Sequence, residues 1–264
     1  NSPILKGELG YNANINFPVF DAERANQLLD KNWKRIQPED FFKAQYDAVL
    51  KTRQNELDAL KKNTSTEPAR LTAETERITK EITDSVRQDM DAEQSFYRKN
   101  KNNEVLTITI TTVDTPEYQQ ASQAIAKMWR AVGIKTKIQI VNSNQIIKEV
   151  LRGRNYEVLL YGEITGSDPD PYPFWHSSQI SYPGLNLALF ADRTVDKLLE
   201  DARATTTEQK RADQYEKFQQ ILAKEVPAIF LYTPVYNFVA SKEIKGIALT
   251  KIFYPADRFN NLGG

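Results

Sequence analysis

The sequence predicts an α/β fold interrupted by inserted helices, and three observations support this prediction. The chain has 264 residues, of which 40% are hydrophobic, and its 35 basic and 35 acidic residues balance. This composition is typical of a globular protein with a substantial core. No glycine occurs between Gly10 and Gly133, where the residue types favour helix. From residue 105 onward, strand and helix patterns alternate, which is typical of parallel sheets.

Composition excludes several classes of function. The chain has no cysteine, so disulfide frameworks, thiolate zinc sites and cysteine nucleophiles are excluded. Zero net charge argues against a nucleic-acid partner, because phosphate binding needs a basic excess. The longest apolar run, near residues 226–232, is far shorter than the roughly 20 residues of a membrane-spanning helix. Because the chain begins Asn1-Ser2-Pro3, without Met or a leader, we expect a piece of a longer protein.

Residues 38–103 predict an inserted helical hairpin. Apolar side chains recur mostly at spacings of four and seven in two arms, one from Phe42 to Leu60 and one from Leu71 to Met90. The turn between the arms is predicted at residues 63–68, where capping hydroxyls precede a proline. Two interpretations are open: a solvated insertion packed along its own apolar stripe, or a docking surface for another protein.

Residues 105–141 predict a βαβ unit. Apolar and polar residues alternate from Leu106 to Thr111 and from Ile134 to Ile140, as expected of strands. Between them, Asp114-Thr115-Pro116-Glu117 begins a helix that Gly133 ends. We therefore expect two parallel strands joined by a right-handed crossover. The inner face of the helix is predicted to carry Tyr118, Ala121, Ile125, Met128, Trp129 and Val132.

Further elements follow the βαβ unit. Thr205 and Glu208 have the spacing of a capping box, which predicts a helix start there. The sequence predicts helices after residue 142 and over 195–204 and 208–224, and strands over 156–161, 228–232 and 236–240.

The proline-rich loop of residues 162–184 is the strongest candidate for a binding site. It follows a predicted strand, where open α/β sheets bind ligands, and three prolines within five residues stiffen it. An aspartate there suits a cationic ligand group, and aromatic rings suit apolar or cation–π contacts. Equally, the aromatic rings could fill the core while the aspartates cap local amides. The residues concerned are Asp168, Asp170, Tyr172, Phe174 and Trp175.

Motifs for catalysis and metal binding are missing from the sequence. His176 is the only histidine, so no paired-histidine metal site can exist, and we expect it to be a polar loop or packing residue. No glycine-rich phosphate loop and no Gly-x-Ser-x-Gly motif occurs. A carboxylate hydrolase that uses Glu163, Asp168 and Asp170 is the remaining catalytic alternative, although these acids share one short turn. We therefore expect no enzyme, no cofactor and no metal.

The segment from Ser167 to Ser178 resembles the Asp-Pro-Asp-Pro-Tyr-x-Phe-Trp-His-Ser-Ser segment of bacterial extracellular solute-binding proteins of family 5, the peptide receptors of ABC importers. The resemblance covers residues 1–37 and 104 to about 250. It implies the C-terminal lobe of a two-lobed periplasmic-binding-protein type II fold, a mixed sheet flanked by helices, formed by residues 1–37 and 104–264 with 38–103 inserted. Other pieces that resemble the family, in its order, are Ser2-Pro3-Ile4, Phe20 to Leu29, Val113 to Tyr118, Val195 to Leu199, Ala202-Arg203, Arg211 to Tyr215, Pro227 to Tyr232 and Ile244-Lys245-Gly246.

The resemblance also implies a function and a set of site residues. The receptor would bind a peptide between this lobe and an N-terminal lobe outside the chain, and would deliver it to ABC permease subunits. It would act outside the cytoplasmic membrane, as a periplasmic protein or a lipoprotein. Asp168 would pair with the α-ammonium of the peptide, with Asp170 as the rival position. The remaining ligand-binding residues that the resemblance implies are Tyr161, Tyr172, Phe174 and Trp175, as an aromatic wall, and Asn186.

Two alternatives to peptide binding stay open. The same fold also serves receptors for sugar oligomers and nickel chelates. The chain could instead be a structural or interaction module that uses the hairpin, which exposed apolar residues on the outer face of the hairpin would favour.

Overall fold

The computed structural model describes residues 2–62, 68–166 and 170–234, together with 237, 239 and 241. The predictions for the turn at 63–67, for Asp168 and for most of strand 236–240 lie outside these residues. Backbone contacts divide the chain into two compact units. The first comprises Asn1–Phe20, Asn144–Asn155 and Tyr161–Gly264, and the second comprises Asp21–Ser143 and Tyr156–Leu160. Among the described residues, no helix combines the length and the apolar character needed to cross a bilayer.

The described residues form helices and strands with the following bounds. The helices are α1 (Ala22–Leu29), α2 (Pro38–Thr52), α3 (Gln54–Lys62), α4 (Pro68–Asp89), α5 (Pro116–Ala131), α6 (Tyr172–Trp175), α7 (Arg193–Ala204) and α8 (Glu208–Glu225). The strands are β1 (Lys34–Ile36), β2 (Tyr97–Lys99), β3 (Thr107–Val113), β4 (Lys135–Val141) and β5 (Val158–Leu159). A π-helical turn covers Ile147–Leu151 and a 3₁₀ turn covers Ser177–Gln179.

The predicted βαβ unit is confirmed. Strand β3 pairs in parallel with β4 and with β5, which gives the sheet order β4-β3-β5. Helix α5 crosses between β3 and β4, and Ser122 and Ala126 on its inner face are fully buried. The predicted inner face is wrong at Met128, which is 46% exposed, because the buried stripe runs through residues 122 and 126 at a spacing of four.

The inserted helices pack on one another as the sequence predicts. Ile78, Ile82 and Val86 form one buried stripe on α4, and Leu57 of α3 packs against it. Two ion pairs join separate elements of the hairpin, one between Arg53 and Glu81 of α4 and one between Arg77 of α4 and Glu56 of α3. In the described residues of α2, α3 and α4 no large hydrophobic side chain is exposed. The observation that would favour a docking surface on the hairpin is therefore missing from these helices.

A short antiparallel ribbon joins the two ends of the inserted helices. Strand β1 pairs with β2, and Ile36 lies opposite Tyr97. The Phe41 ring stacks on the Tyr97 ring at a centroid distance of 4.0 Å. The sequence pattern does not predict this ribbon, which lies partly inside the predicted insertion. The second compact unit contains both the inserted helices and the βαβ unit, and the lobe boundaries at 37 and 104 stay a prediction.

A helical core lies in the other unit. Val195, Leu199 and Ala202 of α7 and Tyr215, Phe218 and Leu222 of α8 are buried together with Ile4, Phe174 and Trp175. Helix α8 starts at Glu208 with Thr207 as its N-cap. The predicted cap at Thr205 is wrong, because Thr205 ends α7 and its N–H donates to the carbonyl of Asp201.

The predicted strand over 228–232 is also wrong. These residues form no strand, and no strand of the described ranges pairs with them. Ala228 and Phe230 instead pack against the helical core.

Candidate functional site

Residues 170–178, the described part of the predicted binding loop, lie against one face of α7. The buried stripe of α7 consists of Val195, Leu199 and Ala202. The next residue after each of these three is polar or charged, and successive residues of an α-helix are rotated by about 100°. A second stripe therefore flanks the buried one, and each of its three members contacts the loop. These members are Asp196, Glu200 and Arg203.

Asp196 and Glu200 hold the turn that follows α6. The Asp196 carboxylate accepts hydrogen bonds from the Ser177 N–H at 2.8 Å and from the Ser177 hydroxyl at 2.5 Å. His176 is buried, and its Nδ1 accepts a hydrogen bond from the Ser178 N–H at 3.1 Å. Because Nδ1 accepts, a ring proton is assigned to Nε2. This nitrogen lies 3.4 Å from Glu200 Oε1, without hydrogen-bond geometry.

Asp170 is engaged through both of its carboxylate oxygens. Oδ2 accepts hydrogen bonds from Arg203 Nε at 2.9 Å and from Arg203 Nη2 at 2.6 Å. Oδ1 accepts a hydrogen bond from the Tyr172 N–H at 3.1 Å. Hydrogen bonds between charged partners are about twice as strong as neutral ones. Asp170 therefore fixes the start of α6 and is bound to a cation of the same chain.

The Tyr172 ring is covered on both faces. The guanidinium carbon of Arg203 lies 3.7 Å from the ring centroid. The His176 ring stacks on Tyr172 at a centroid distance of 4.1 Å and an interplanar angle of 17°. At these distances two planar groups cannot share one face, so they occupy opposite faces. Tyr172 is left with its edge and its hydroxyl, which lies 3.3 Å from Ser178 Oγ, for contact with anything else.

Phe174 and Trp175 point into the helical core. Their exposed fractions are 8% and 6%. The Trp175 ring packs at centroid distances of 6.1 Å from Phe218 and 5.9 Å from Phe230. These contacts match the interpretation in which the loop aromatics fill the core. A ligand contact by either ring stays a prediction.

Asn186 is fully buried and spans two backbone segments. Its amide group donates to the carbonyl of His176 at 3.1 Å and to that of Phe190 at 2.8 Å. Its side-chain oxygen accepts the Phe190 N–H at 3.1 Å. Asn186 thus ties the end of α6 to the segment before α7, and its predicted place at a cleft stays a prediction.

The other acidic and aromatic candidates differ in their surroundings. Tyr161 is 37% exposed, and Asp168 lies outside the described residues. The Glu163 side chain also reaches solvent, although desolvation by nearby protein atoms raises its pKa to about 7. Because Asp170 is paired with Arg203, it is not a free base, which weakens the case for a carboxylate hydrolase. In the ranges that the structure covers, no group of three His, Asp or Glu side chains fits a metal ion.

Sequence reasoning missed the three residues of α7 that hold the loop. The sequence does contain a pattern that could have indicated them. Asp196, Glu200 and Arg203 have helical spacings of four and three beside an apolar stripe of the same period. On its own, that pattern also describes an ordinary solvated helix face. Only the position of the loop against α7 identifies the role of these side chains.

Comparison with known proteins finds relatives whose names describe peptide-binding proteins. No protein-family profile matches the chain. The oligopeptide-binding protein AppA of Bacillus subtilis is 27% identical over 123 residues, which are 46% of this chain and 22% of that protein. The di/tripeptide-binding protein 1 of Pseudomonas aeruginosa is 29% identical over 126 residues, or 46% of this chain and 23% of that protein. The probable D,D-dipeptide-binding periplasmic protein DdpA of Escherichia coli is 24% identical over 151 residues, or 56% and 29%.

Two solved structures share the fold. The oligopeptide-binding protein AppA from Bacillus subtilis, in complex with a nonapeptide, covers 86% of this chain at a TM-score of 0.55 and 18% identity. The oligopeptide-binding protein from Thermus thermophilus, complexed with a pentapeptide, also covers 86%, at a TM-score of 0.54 and 13% identity. These matches confirm the predicted α/β, periplasmic-binding-protein type II fold. The chain spans about a quarter of the curated relatives above and 35% and 32% of these two structures.

Proposed function

We propose that this chain, which is related to the peptide-binding proteins among the family 5 solute-binding proteins of ABC importers, forms one lobe of a receptor that binds a peptide for uptake. The observation that carries the proposal is the set of seven curated matches, all of which have names that specify binding of oligopeptides, dipeptides or tripeptides. None of these names describes an enzyme. In the proposal the chain binds its ligand without chemical change, together with an N-terminal lobe outside this sequence.

The loop beside α7 is the proposed ligand-binding element of this lobe. Asp168 is proposed to accept the α-ammonium group of the peptide, because a carboxylate and an ammonium that are partly desolvated form a strong charge-assisted pair. Tyr161, which is exposed, and the edge of Tyr172 are proposed for apolar contacts with the ligand. Phe174 and Trp175, with Asn186, then support the loop from the core side.

The same relationship supports a proposal for the cellular location of the receptor. We propose that it acts outside the cytoplasmic membrane and passes its ligand to ABC permease subunits, either free in the periplasm or anchored as a lipoprotein. One curated relative is described as periplasmic. Detection of the full-length protein only in the cytoplasmic fraction of cells would contradict this part of the proposal.

Calorimetry with the full-length receptor tests the proposed function. A pool of di- to hexapeptides is titrated into the wild type and into Asp168→Asn, and the titration is repeated with N-acetylated peptides. Loss of one hydrogen bond to a charged group predicts about a tenfold to hundredfold loss of affinity in each case. Asp84→Asn is the matched control, since Asp84 is an exposed acid on α4, and we expect it to bind like the wild type.

Two outcomes would contradict the proposal in different ways. If the wild-type receptor binds none of the peptides, peptide binding is wrong, and titration with sugar oligomers and nickel chelates examines the alternative ligands. If peptides bind and neither Asp168→Asn nor N-acetylation weakens them, the ammonium assignment is wrong while the receptor function remains.

A further inference from the structure

A cavity of about 220 Å³ lies where the inserted helices meet the βαβ unit. The end of α4 and the turn after it contribute residues 88–91 and Gln94, while α5 contributes Arg130 and β4 contributes residues 135–137. All of these residues belong to the same compact unit. A molecule bound here would therefore contact the insertion and the βαβ unit together.

The described side chains that line this cavity carry one more positive than negative charge. Arg130, Lys135 and Lys137 are basic, whereas Asp89 and Asp91 are acidic. Arg130 Nη1 lies 2.9 Å from Asp91 Oδ2, and the Lys135 ammonium pairs with Asp89 Oδ2. Each acid thus has a basic partner within the chain, and Lys137 is the cation in excess.

Lys137 has the most weakly engaged charge of the cavity. Its side chain is 55% exposed, and its Nζ lies 3.7 Å from Asp89 Oδ1, which is within ion-pair range but longer than a hydrogen bond. Asp89 already binds Lys135, whose side chain is 12% exposed and whose Nζ lies 5.3 Å from the centroid of the Phe41 ring. The Lys137 ammonium therefore keeps hydrogen-bond donors for an anion from outside the chain.

Gln94 adds a neutral acceptor to the same cavity. Its side chain is 4% exposed, and its Nε2 donates to the carbonyl of Phe96 at 3.0 Å. This bond assigns the orientation of the amide, so the remaining polar atom is the oxygen Oε1. Oε1 is buried, and no group in the described part of the chain donates to it. Because a buried acceptor without a donor lowers stability, its place in a cavity wall indicates a site for a ligand donor.

We propose that this cavity binds a small hydroxycarboxylate, with the carboxylate at Lys137 and the hydroxyl group donating to Gln94 Oε1. One negative charge matches the excess positive charge of the lining, whereas a dianion such as phosphate would leave a charge uncompensated beside Asp89 and Asp91. The inference goes beyond peptide binding and does not depend on it, because none of the described residues of the candidate loop lines this cavity.

Ligand-observed NMR titration of the full-length protein tests this site. The probes are butyrate, which has no hydroxyl group, and the hydroxybutyrates that carry the hydroxyl on the second, third or fourth carbon. We expect the best-fitting isomer to bind about fivefold more tightly than butyrate, which is the value of one neutral hydrogen bond. Lys137→Met should weaken this isomer and butyrate alike by about fivefold, since the ion pair it removes is partly exposed. Gln94→Met should abolish the preference for the hydroxyl group and keep butyrate binding.

Two controls separate binding at this cavity from general effects of charge and folding. Lys80→Met removes an exposed lysine of α4 that does not line the cavity, so we expect wild-type dissociation constants for every probe. Gln94→Met loses the hydrogen bond to Phe96, and urea unfolding checks that it folds. The comparison of hydroxybutyrate with butyrate in the wild type and in Lys137→Met needs no variant of Gln94. In the wild type, the best isomer should also slow hydrogen exchange of the amides of residues 88–94.

Four results would overturn this inference. They are the absence of binding by every hydroxybutyrate at millimolar concentration, equal affinity of butyrate and all three isomers, equal weakening by Lys80→Met and Lys137→Met, and binding of inorganic phosphate as tight as that of the best isomer. Each of them leaves the proposed peptide binding standing, because that function is measured with peptides. Failure of the receptor to bind peptides likewise leaves the hydroxycarboxylate site standing.

Discussion

Arg98 offers a sharp test of how the unit that contains the sheet is stabilised. Its side chain is fully buried on β2. Nε donates to the carbonyl of Val132 at 2.6 Å, and Nη2 donates to Asn26 Oδ1 at 2.7 Å. Nη1 donates both to Asp30 Oδ1 at 2.6 Å and to the carbonyl of Trp33 at 3.0 Å. One guanidinium thus joins the end of α5, helix α1 and the turn before β1.

Replacement of Arg98 by Met keeps most of the apolar volume and removes every donor. Three neutral acceptors lose their partner, and each such acceptor costs about 1 kcal/mol or more when it is buried. Asp30 is 46% exposed and regains water, so its contribution is small. The expected loss, summed over the three acceptors, is about 3 kcal/mol, or roughly a hundredfold in the unfolding equilibrium.

Hydrogen exchange with a denaturant series measures this loss, because it resolves the two compact units separately. In Arg98→Met we expect the amides of β1, β2 and α1 to lose about 3 kcal/mol of protection. Amides of α7 and α8 lie in the other unit and serve as the internal control. Arg98→Lys keeps the positive charge but lacks the planar set of guanidinium donors, so we expect a loss of protection between those of the wild type and Arg98→Met. A loss below about 1 kcal/mol in Arg98→Met would refute the reasoning, because three unpartnered acceptors cannot cost so little.

Three further predictions concern other positions. Gly133 has a φ of +86°, and an added Cβ would lie 2.4 Å from Phe96 Cε2. Gly133→Ala should therefore lower the free energy of unfolding, measured in urea, by at least about 2 kcal/mol. An unchanged urea midpoint would contradict this prediction. Asn186→Leu removes the side-chain partner of both the N–H and the carbonyl of Phe190 and should lower the stability of α7 amides by about 2 kcal/mol in hydrogen exchange, with β3 amides unaffected. Hydrogen bonds from Arg35 and then Arg98 lower the pKa of Asp30, so its stabilisation is present above about pH 4 and is lost as the pH falls through the lower folded value. When the pH is lowered below about 4, Asp30→Asn should therefore lose less stability than the wild-type protein. An identical loss in the two proteins would argue against this role of Asp30.

Elements with a local pattern could be predicted from the sequence. The alternation before residue 113 and after residue 134 indicated β3 and β4, and the cap and proline at residues 114–116 located the start of α5. Each of these signals is contained within a few neighbouring residues, and the buried face of the element repeats with its own period. The error at Met128 arose because an apolar residue beside a buried stripe looks the same in sequence as one within it.

Features that depend on distant residues could not be predicted in this way. Strands β1 and β2 are three residues long, and their pairing partners are about sixty residues apart, so no local pattern indicates the ribbon. The composition of the binding loop left open whether its aromatic rings bind a ligand or fill the core. The position of α6 against α7 and α8 decides that Phe174 and Trp175 are buried. The pairing of Asp170 with Arg203 spans 33 residues and depends on the same packing.

The β1–β2 ribbon has a consequence for how the inserted helices are attached. Because Ile36 and Tyr97 face each other in register, the chain leaves and re-enters the ribbon at points about 5 Å apart. A gap of this size can be bridged by a two-residue hairpin turn. A short turn in place of the intervening segment would therefore leave the pairing of β1 with β2 in register. Excision would remove Phe41 and Phe96, so the vacated surfaces at Tyr97 and Gly133 would need new polar coverage.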